Sequence, residues 1–332
     1  MTEAIVAVQT DRQPSKLFRW IVLLAVSFSM GGNYYVYDSI NPLERIMHDQ
    51  LGFSASMFGA LNTSYSVAAV LTLLLGGIII DRFGLRRSIL FFSSVCMIGA
   101  LVMALRASFG TMVAGRAILG FGAESQIAAI TTALARWFKG KELSFALGIN
   151  LTVARLASVA ADNSPTWAAF AFYPNGPSAQ PSWHRPLWLA AGMGTLCVLG
   201  ALIYWALEAS AEQRYSLGQS GSVDQLDLRT GLKFNPSYWY TVVLCFLFYA
   251  GIFPFRTFAI DLFTSKLLSA TGSYAASGMA FAWAQQRAGN LNSVLPLSAM
   301  VATPLFGLLS DKIGKRATLM MLGSLLLVPV YL

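Results

Sequence analysis

Charge is scarce in this 332-residue chain. Only 11% of its residues are Asp, Glu, Lys or Arg, where soluble domains carry roughly 25%. Hydrophobic residues make up 56%, and the mean hydropathy is +0.59. A single water-soluble domain is thereby excluded, and a polytopic, all-α membrane protein is expected. Histidine is nearly missing. His48 and His184 are the two, both in expected loops, so neither a metal site nor imidazole catalysis is expected. The three cysteines, Cys96, Cys197 and Cys245, each fall inside an apolar run. They read as small buried hydrophobes rather than as a disulfide or metal set. No nucleophile or appended soluble domain points to an enzyme, no cofactor is expected, and the polar stretch 1–14 holds no cleavable signal peptide.

Apolar runs are what the chain has in plenty. A helix needs roughly 20 such residues to cross a bilayer. Runs of that kind cover 17–40, 54–80, 88–105, 111–137, 143–164 and 187–207, then 237–263 and 291–309. A last run, 317–332, stops after 16 residues, a rise of only about 24 Å against a core of about 30 Å. The expected layout is a short segment 1–16, a six-helix bundle 17–207, a linker 208–236 and a partial second bundle 237–332. The connection 163–186 is rich in Pro, Trp and Tyr, suited to a membrane surface. The stretch 275–286 is either an extension of the eighth span or an insertion.

Basic residues sort to one side of this layout. Arg12, Lys16, Arg19, Arg82, Arg86, Arg87, Arg136, Lys139, Lys141, Arg214, Arg229, Lys233, Lys312, Lys315 and Arg316 share a face, whereas the other face has Arg45, Arg106, Arg185, Lys266 and Arg287. By the positive-inside rule the N-terminus is cytoplasmic. Topology accounts for the net charge of +8, so no nucleic-acid partner is expected; the bilayer itself is the surrounding partner.

The turn after the second run reads Gly77-Ile78-Ile79-Ile80-Asp81-Arg82-Phe83-Gly84 and is followed by Arg86-Arg87. It returns as Gly307-Leu308-Leu309-Ser310-Asp311-Lys312-Ile313-Gly314 with Lys315-Arg316, its Asp 230 positions after the first. A signature repeated at that distance suggests two related halves. The two copies resemble the loop signature of the major facilitator superfamily. That resemblance implies a twelve-helix fold of six and six, hence a record cut inside the second half. It also implies a gating role for Gly77, Asp81, Arg82 and Asp311. Arg116, followed by Gly120-Phe121-Gly122, resembles a second signature of the superfamily, with Leu119 where Gln is usual. The glycines would let neighbouring helices approach closely.

Ionisable residues inside a span are costly and are functional candidates by default. Glu124 lies 15 residues before Lys139, and Arg155 lies 15 after Gly140. Two antiparallel helices leaving one turn bring this acid and base to one level, roughly 22 Å from the turn. Asn33, Tyr34, Tyr37 and Asp38 end the first span; Tyr37 and Asp38 sit either in the site or in an outer aromatic belt. Asn62 and Tyr65 in the second span are weaker candidates of the same kind. Arg256 follows Pro254, and it either lines a cavity or snorkels outward.

Three stretches are similar to one branch of the superfamily, the lysosomal dipeptide uniporter family with its bacterial relatives: Tyr35-Val36-Tyr37-Asp38, Gly122-Ala123-Glu124-Ser125, and Trp137-Phe138-Lys139-Gly140-Lys141-Glu142-Leu143 running on to Ala154-Arg155. The resemblance implies a carrier of dipeptides, with Glu124 and Arg155 as binding acid and base; from their shared level the two are expected to pair with each other in the empty protein. Tyr34, Tyr37 and Asn33 would meet the peptide amide; Asp38, Tyr65 and Arg256 complete the expected site. An inner-membrane location follows for a bacterial chain and a lysosomal one for a eukaryotic chain. No accessory subunit is indicated. Two other functions stay open: a proton-coupled carrier of another small organic ion, titrating at Glu124 or Asp38, and a non-transporting membrane sensor.

Overall fold

A computed structural model describes residues 14–138, 142–212, 235–272, 277–313 and 316–325, with backbone alone at 74, 303–304, 306–313 and 316–317. Every regular element among them is helical. The long helices are α1 (Lys16–Asp38), α3 (Ala55–Phe83), α4 (Leu85–Leu105), α5 (Phe109–Trp137), α6 (Leu143–Asp162) and α9 (His184–Glu212), then α10 (Pro236–Ala270) and α11 (Met279–Ile313). Shorter ones are α2 (Glu44–Leu51), α7 (Ser164–Trp167), α8 (Ala169–Phe172) and α12 (Arg316–Leu325). Among the described residues five helices are long and apolar enough to cross a bilayer, six if α3 counts as one span. Helix α1 has 23 residues, but its polar end, Asn33 to Asp38, dilutes its hydropathy.

Several boundaries differ from those the sequence suggests. His48 lies in α2 and His184 opens α9, so neither is in a loop. The run expected to end at 207 continues to Glu212; of the expected linker, 213–234 lie outside the described residues. Helix α10 runs on to Ala270, and α11 begins at Met279 rather than at 291. The stretch 279–286 is therefore the start of α11, and 275–276 lie outside the described residues. These extensions are amphipathic or polar, so a hydropathy window stops short while the backbone, saturated by its own hydrogen bonds, keeps its helical path. Lys266 and Arg287 are accordingly helical. Cys96 and Cys197 are buried as expected, whereas Cys245 is exposed on α10.

The first bundle packs α5 against α3 and α4, α9 against α1 and α4, and α6 against α1. Close approach depends on small residues. A Cβ at Gly120 would strike the Tyr65 carbonyl oxygen of α3, and one at Gly122 would sit 2.8 Å from the Phe92 carbonyl oxygen of α4. The Gly-x-Gly pair of α5 thus faces two neighbours at once. A buried polar knot ties α5 to α1 and α4: the Gln126 amide donates to the Ser29 and Ser93 hydroxyls, both at 2.8 Å. Helix α3 bends by 49° where Ala55–Leu73 meets Leu75–Phe83. The glycine pair Gly76-Gly77 follows at once, a known cause of such bends.

Helices α10 and α11 pair with each other, and α11 leans on α6. The buried residues of α10 are Arg256, Ala259, Ile260, Thr264 and Leu268. They recur at helical spacing on one stripe and begin only past the helix midpoint. The region away from the basic face is where this pair meets the first bundle. There the Gln285 amide donates to the Pro42 carbonyl at 2.6 Å, and Tyr173 donates its hydroxyl to Gln285. Asn163 bonds to Ser293, and Gln286 donates to the Pro165 carbonyl at 3.3 Å.

Helix α2 covers this region. Its first residue, Glu44, is 7% exposed and one of its carboxylate oxygens has no hydrogen-bond partner. Burial pushes the Glu44 carboxyl up to about 8; Asp261 adds to the shift and Arg45 opposes it. Below about pH 4.5 the group is neutral folded or unfolded. As pH rises toward 8 the unfolded chain ionises first, so the folded state loses relative stability across that window. Glu44→Gln is therefore expected to raise the thermal midpoint at pH 8 and to leave it nearly unchanged at pH 4.5. An equal change at both pH values would show that ionisation is not the cause.

Candidate functional site

A cavity of about 740 Å³ opens between the first bundle and α10. All eight expected binding residues line it: Asn33, Tyr34, Tyr37, Asp38, Tyr65, Glu124, Arg155 and Arg256. Asn62 lines it as well. Four helices of the first bundle supply the wall, and α10 supplies the facing side with Tyr249, Phe253 and Phe258.

The acid and the base are set apart. Helices α5 and α6 leave one turn, yet α6 packs mainly against α1 and α11, not against α5. Tyr65 donates its hydroxyl to the Glu124 carboxylate at 3.2 Å. The Arg155 guanidinium lies over the Tyr34 ring, 5.8 Å from its centre. Among the described residues no ion pair joins Glu124 to Arg155, which corrects the expected pairing in the empty protein. The physical reason is that each charge has a softer partner on another helix, Tyr34 of α1 for Arg155 and Tyr65 of α3 for Glu124. A ring face can hold a guanidinium at modest cost, leaving its fork free.

Asn33 is buried, and its amide donates to the Ala123 carbonyl at 3.3 Å, fixing α1 beside Glu124. Tyr37 and Tyr65 face each other with ring centres 4.6 Å apart. Tyr37 and Asp38 thus face the cavity rather than an outer aromatic belt. Arg256 points inward: it meets Asp38 at 2.8 Å and Asp162 at 3.7 Å. The Asn41 amide also donates to Asp38, at 3.4 Å. Helix α10 continues through Pro254, which brings Arg256 onto its buried stripe.

Asp162 escaped the sequence reading. It is fully buried, with the Arg256 guanidinium 3.7 Å away and the Asn292 side chain beside it. The available signal was its spacing: it stands seven residues after Arg155, two helical turns along the same side of α6. The gating candidates lie elsewhere. Asp81 and Arg82 are exposed on the basic face, with Arg82 over the Phe83 ring. A Cβ at Gly77 would meet open space, while one at Gly76 would strike the Ser125 side chain. Asp311 belongs to α11, and its side chain lies outside the described residues.

The cavity and its first polar contacts bring together three carboxylates and three guanidiniums. They are Asp38, Glu124 and Asp162 against Arg116, Arg155 and Arg256. Formal charge therefore balances, and a cargo with no net charge leaves it balanced. Such an arrangement suits a molecule with one ammonium and one carboxylate held apart.

Sequence comparison places this geometry among known proteins. A family model described as Major Facilitator Superfamily matches residues 23–330. The protein named lysosomal dipeptide transporter MFSD1 of Danio rerio is 30% identical over 312 residues, 92% of this chain and 65% of that protein. The protein of the same name in Bos taurus is 32% identical over 322 residues, 93% of this chain and 64% of that protein. The chain thus spans about 65% of the length of the relatives it matches. A crystal structure of a bacterial homolog to the human lysosomal transporter Spinster, inward-facing and unoccupied, shares the fold. Its TM-score is 0.65 at 17% identity, over 91% of this chain and 64% of that one.

Removing one partner of a buried ion pair costs about 3–5 kcal/mol, because the other charge stays buried and uncompensated. Arg256→Gln is expected to destabilise the protein in detergent by an amount of that order, read as a fall in the thermal midpoint. Adding Asp38→Asn and Asp162→Asn should recover much of the loss. A single variant as stable as the parent would mean that Arg256 compensates neither acid.

Proposed function

The chain belongs to the major facilitator superfamily, and on that premise we propose that it carries dipeptides across a membrane. One observation carries the reading. An acid and a base face a single cavity, each held by a tyrosine and neither neutralising the other. A dipeptide presents an ammonium and a carboxylate roughly 6 Å apart when extended. Arg155 grips the carboxylate with two parallel hydrogen bonds, as a guanidinium does best. Glu124 receives the ammonium. Tyr34, Tyr37 and Asn33 flank the peptide amide between them. The wide apolar remainder of the cavity, with Tyr249 and Phe253 on α10, accepts varied side chains.

Charge balance favours this cargo over a lone organic ion, which would add an uncompensated charge to a neutral site. Uniport accords with the same bookkeeping, since a zwitterion brings no net charge into the site. Access alternates by rocking of the two halves about the midplane site. The contacts around Arg256, Gln285 and Asn163 close the face opposite the basic one. In this reading the basic face is cytoplasmic, and the loop residues Gly77, Asp81, Arg82 and Asp311 form the inner gate. The names borne by the relatives agree with such a cargo.

Glu124→Gln and Arg155→Ala are each expected to abolish dipeptide binding without unfolding the protein, a loss of at least about 100-fold in affinity for a charged contact. The measurement is thermal stabilisation of purified protein by dipeptides, with flux into liposomes as the companion assay. Stabilisation that survives in both variants would remove this site from consideration. Accumulation driven by an imposed pH gradient would replace uniport with proton coupling.

A further inference from the structure

Among the described residues Arg116 is the largest fully buried side chain, with no measurable exposure. It lies on α5, two helical turns before Glu124. Among the described residues no carboxylate comes within ion-pair distance of it. Its guanidinium instead sits 5.0 Å from the centre of the Tyr37 ring and 5.3 Å from that of Tyr65. It donates to the Tyr37 carbonyl oxygen at 2.9 Å and to the side-chain oxygen of Asn62. One cation thus fastens α1 and α3 to α5 just behind the cavity wall.

We infer that Arg116 is a positioning residue for the ammonium end of the cargo, acting through Tyr65 on Glu124. The inference rests on the dipeptide reading above. The chain of contacts is short. Arg116 stacks on the Tyr65 ring, Tyr65 donates its hydroxyl to Glu124, and Tyr37 packs on Tyr65 from the cavity side. A tyrosine ring loosened from its cation would swing, and the carboxylate it holds would follow. Small displacements matter here, since a loose supporting shell is enough to spoil a preorganised contact. Two tyrosine faces and two oxygen acceptors compensate the buried charge, which explains how it persists without an acid beside it.

The geometry also separates this role from proton transfer. Arg116 has no carboxylate partner to exchange a proton with, and a guanidinium keeps its charge in proteins. Lysine cannot replace it. A point charge with a flexible stem neither stacks between two rings nor donates in a planar fork.

The test uses purified full-length chain and one dipeptide in two forms, free and N-acetylated. Acetylation removes the ammonium and keeps the rest. In the parent, the free form should bind roughly tenfold or more tighter than the acetylated one. Arg116→Lys and Arg116→Gln are expected to bring that ratio near one while leaving binding of the acetylated form within about threefold of the parent. Tyr65→Phe, which deletes one hydroxyl, should also bring the ratio near one, and the pair Arg116→Lys with Tyr65→Phe should lower the ratio no further than either alone. A folded Arg116→Lys that keeps the parent's ratio overturns the inference, and so does a pair whose losses multiply. If Arg116→Gln fails to fold, Arg116→Lys and Tyr65→Phe decide the matter. A parent that binds neither form brings down the dipeptide reading itself, which is a separate result.

Discussion

A charge carried into hydrocarbon has to find compensation there, and this chain answers that constraint with three different kinds of partner. Arg256 takes carboxylates, Arg155 takes a ring face, and Arg116 takes two rings and two oxygen acceptors. The choice matters because strength of compensation sets what is left over for a ligand. A tight ion pair has spent its directional bonds. A cation over a ring has not, since the contact uses the face of the aromatic and leaves the N–H fork pointing elsewhere. The cavity-lining Arg155 is of the second kind, whereas Arg256 already commits a nitrogen to the Asp38 carboxylate.

Much of the arrangement could be read from residue order alone. Spans two to six were placed within a few residues of α3, α4, α5, α6 and α9, because apolar length is a strong and local signal. The level pairing of Glu124 and Arg155 needed only helical rise and a shared turn. Their failure to touch could not be read so, because the partner each side chain takes on another helix is a matter of packing, not of spacing. Asp162 was missed for a similar reason: at the end of an apolar run an acid looks like the edge of the membrane. Its burial comes from α11, whose Gly289 is so close that a Cβ there would strike the Asp162 carbonyl oxygen. Arg256 had two open orientations in sequence, and only the facing acids of α1 and α6 decide between them.

The two ends of the cavity differ in what joins them. Near α2, polar side chains stitch the first bundle to α10 and α11, and an apolar cluster including Ile40, Leu43, Leu268 and Phe281 lies beneath them. Buried polar contacts of this sort specify geometry more than they add stability.

Helices α1 and α6 have one design in common. Each carries a cavity-facing residue along its length, Tyr34 or Arg155, and an acid at its tip, Asp38 or Asp162. A helix is a stiff rod, and seven residues of α6 span only about 10 Å. Tilting either rod at its middle therefore moves its tip. Because one guanidinium clasps both tips, the two rods form a pair of tongs with a shared pin, so whatever draws their midpoints together also loads that pin.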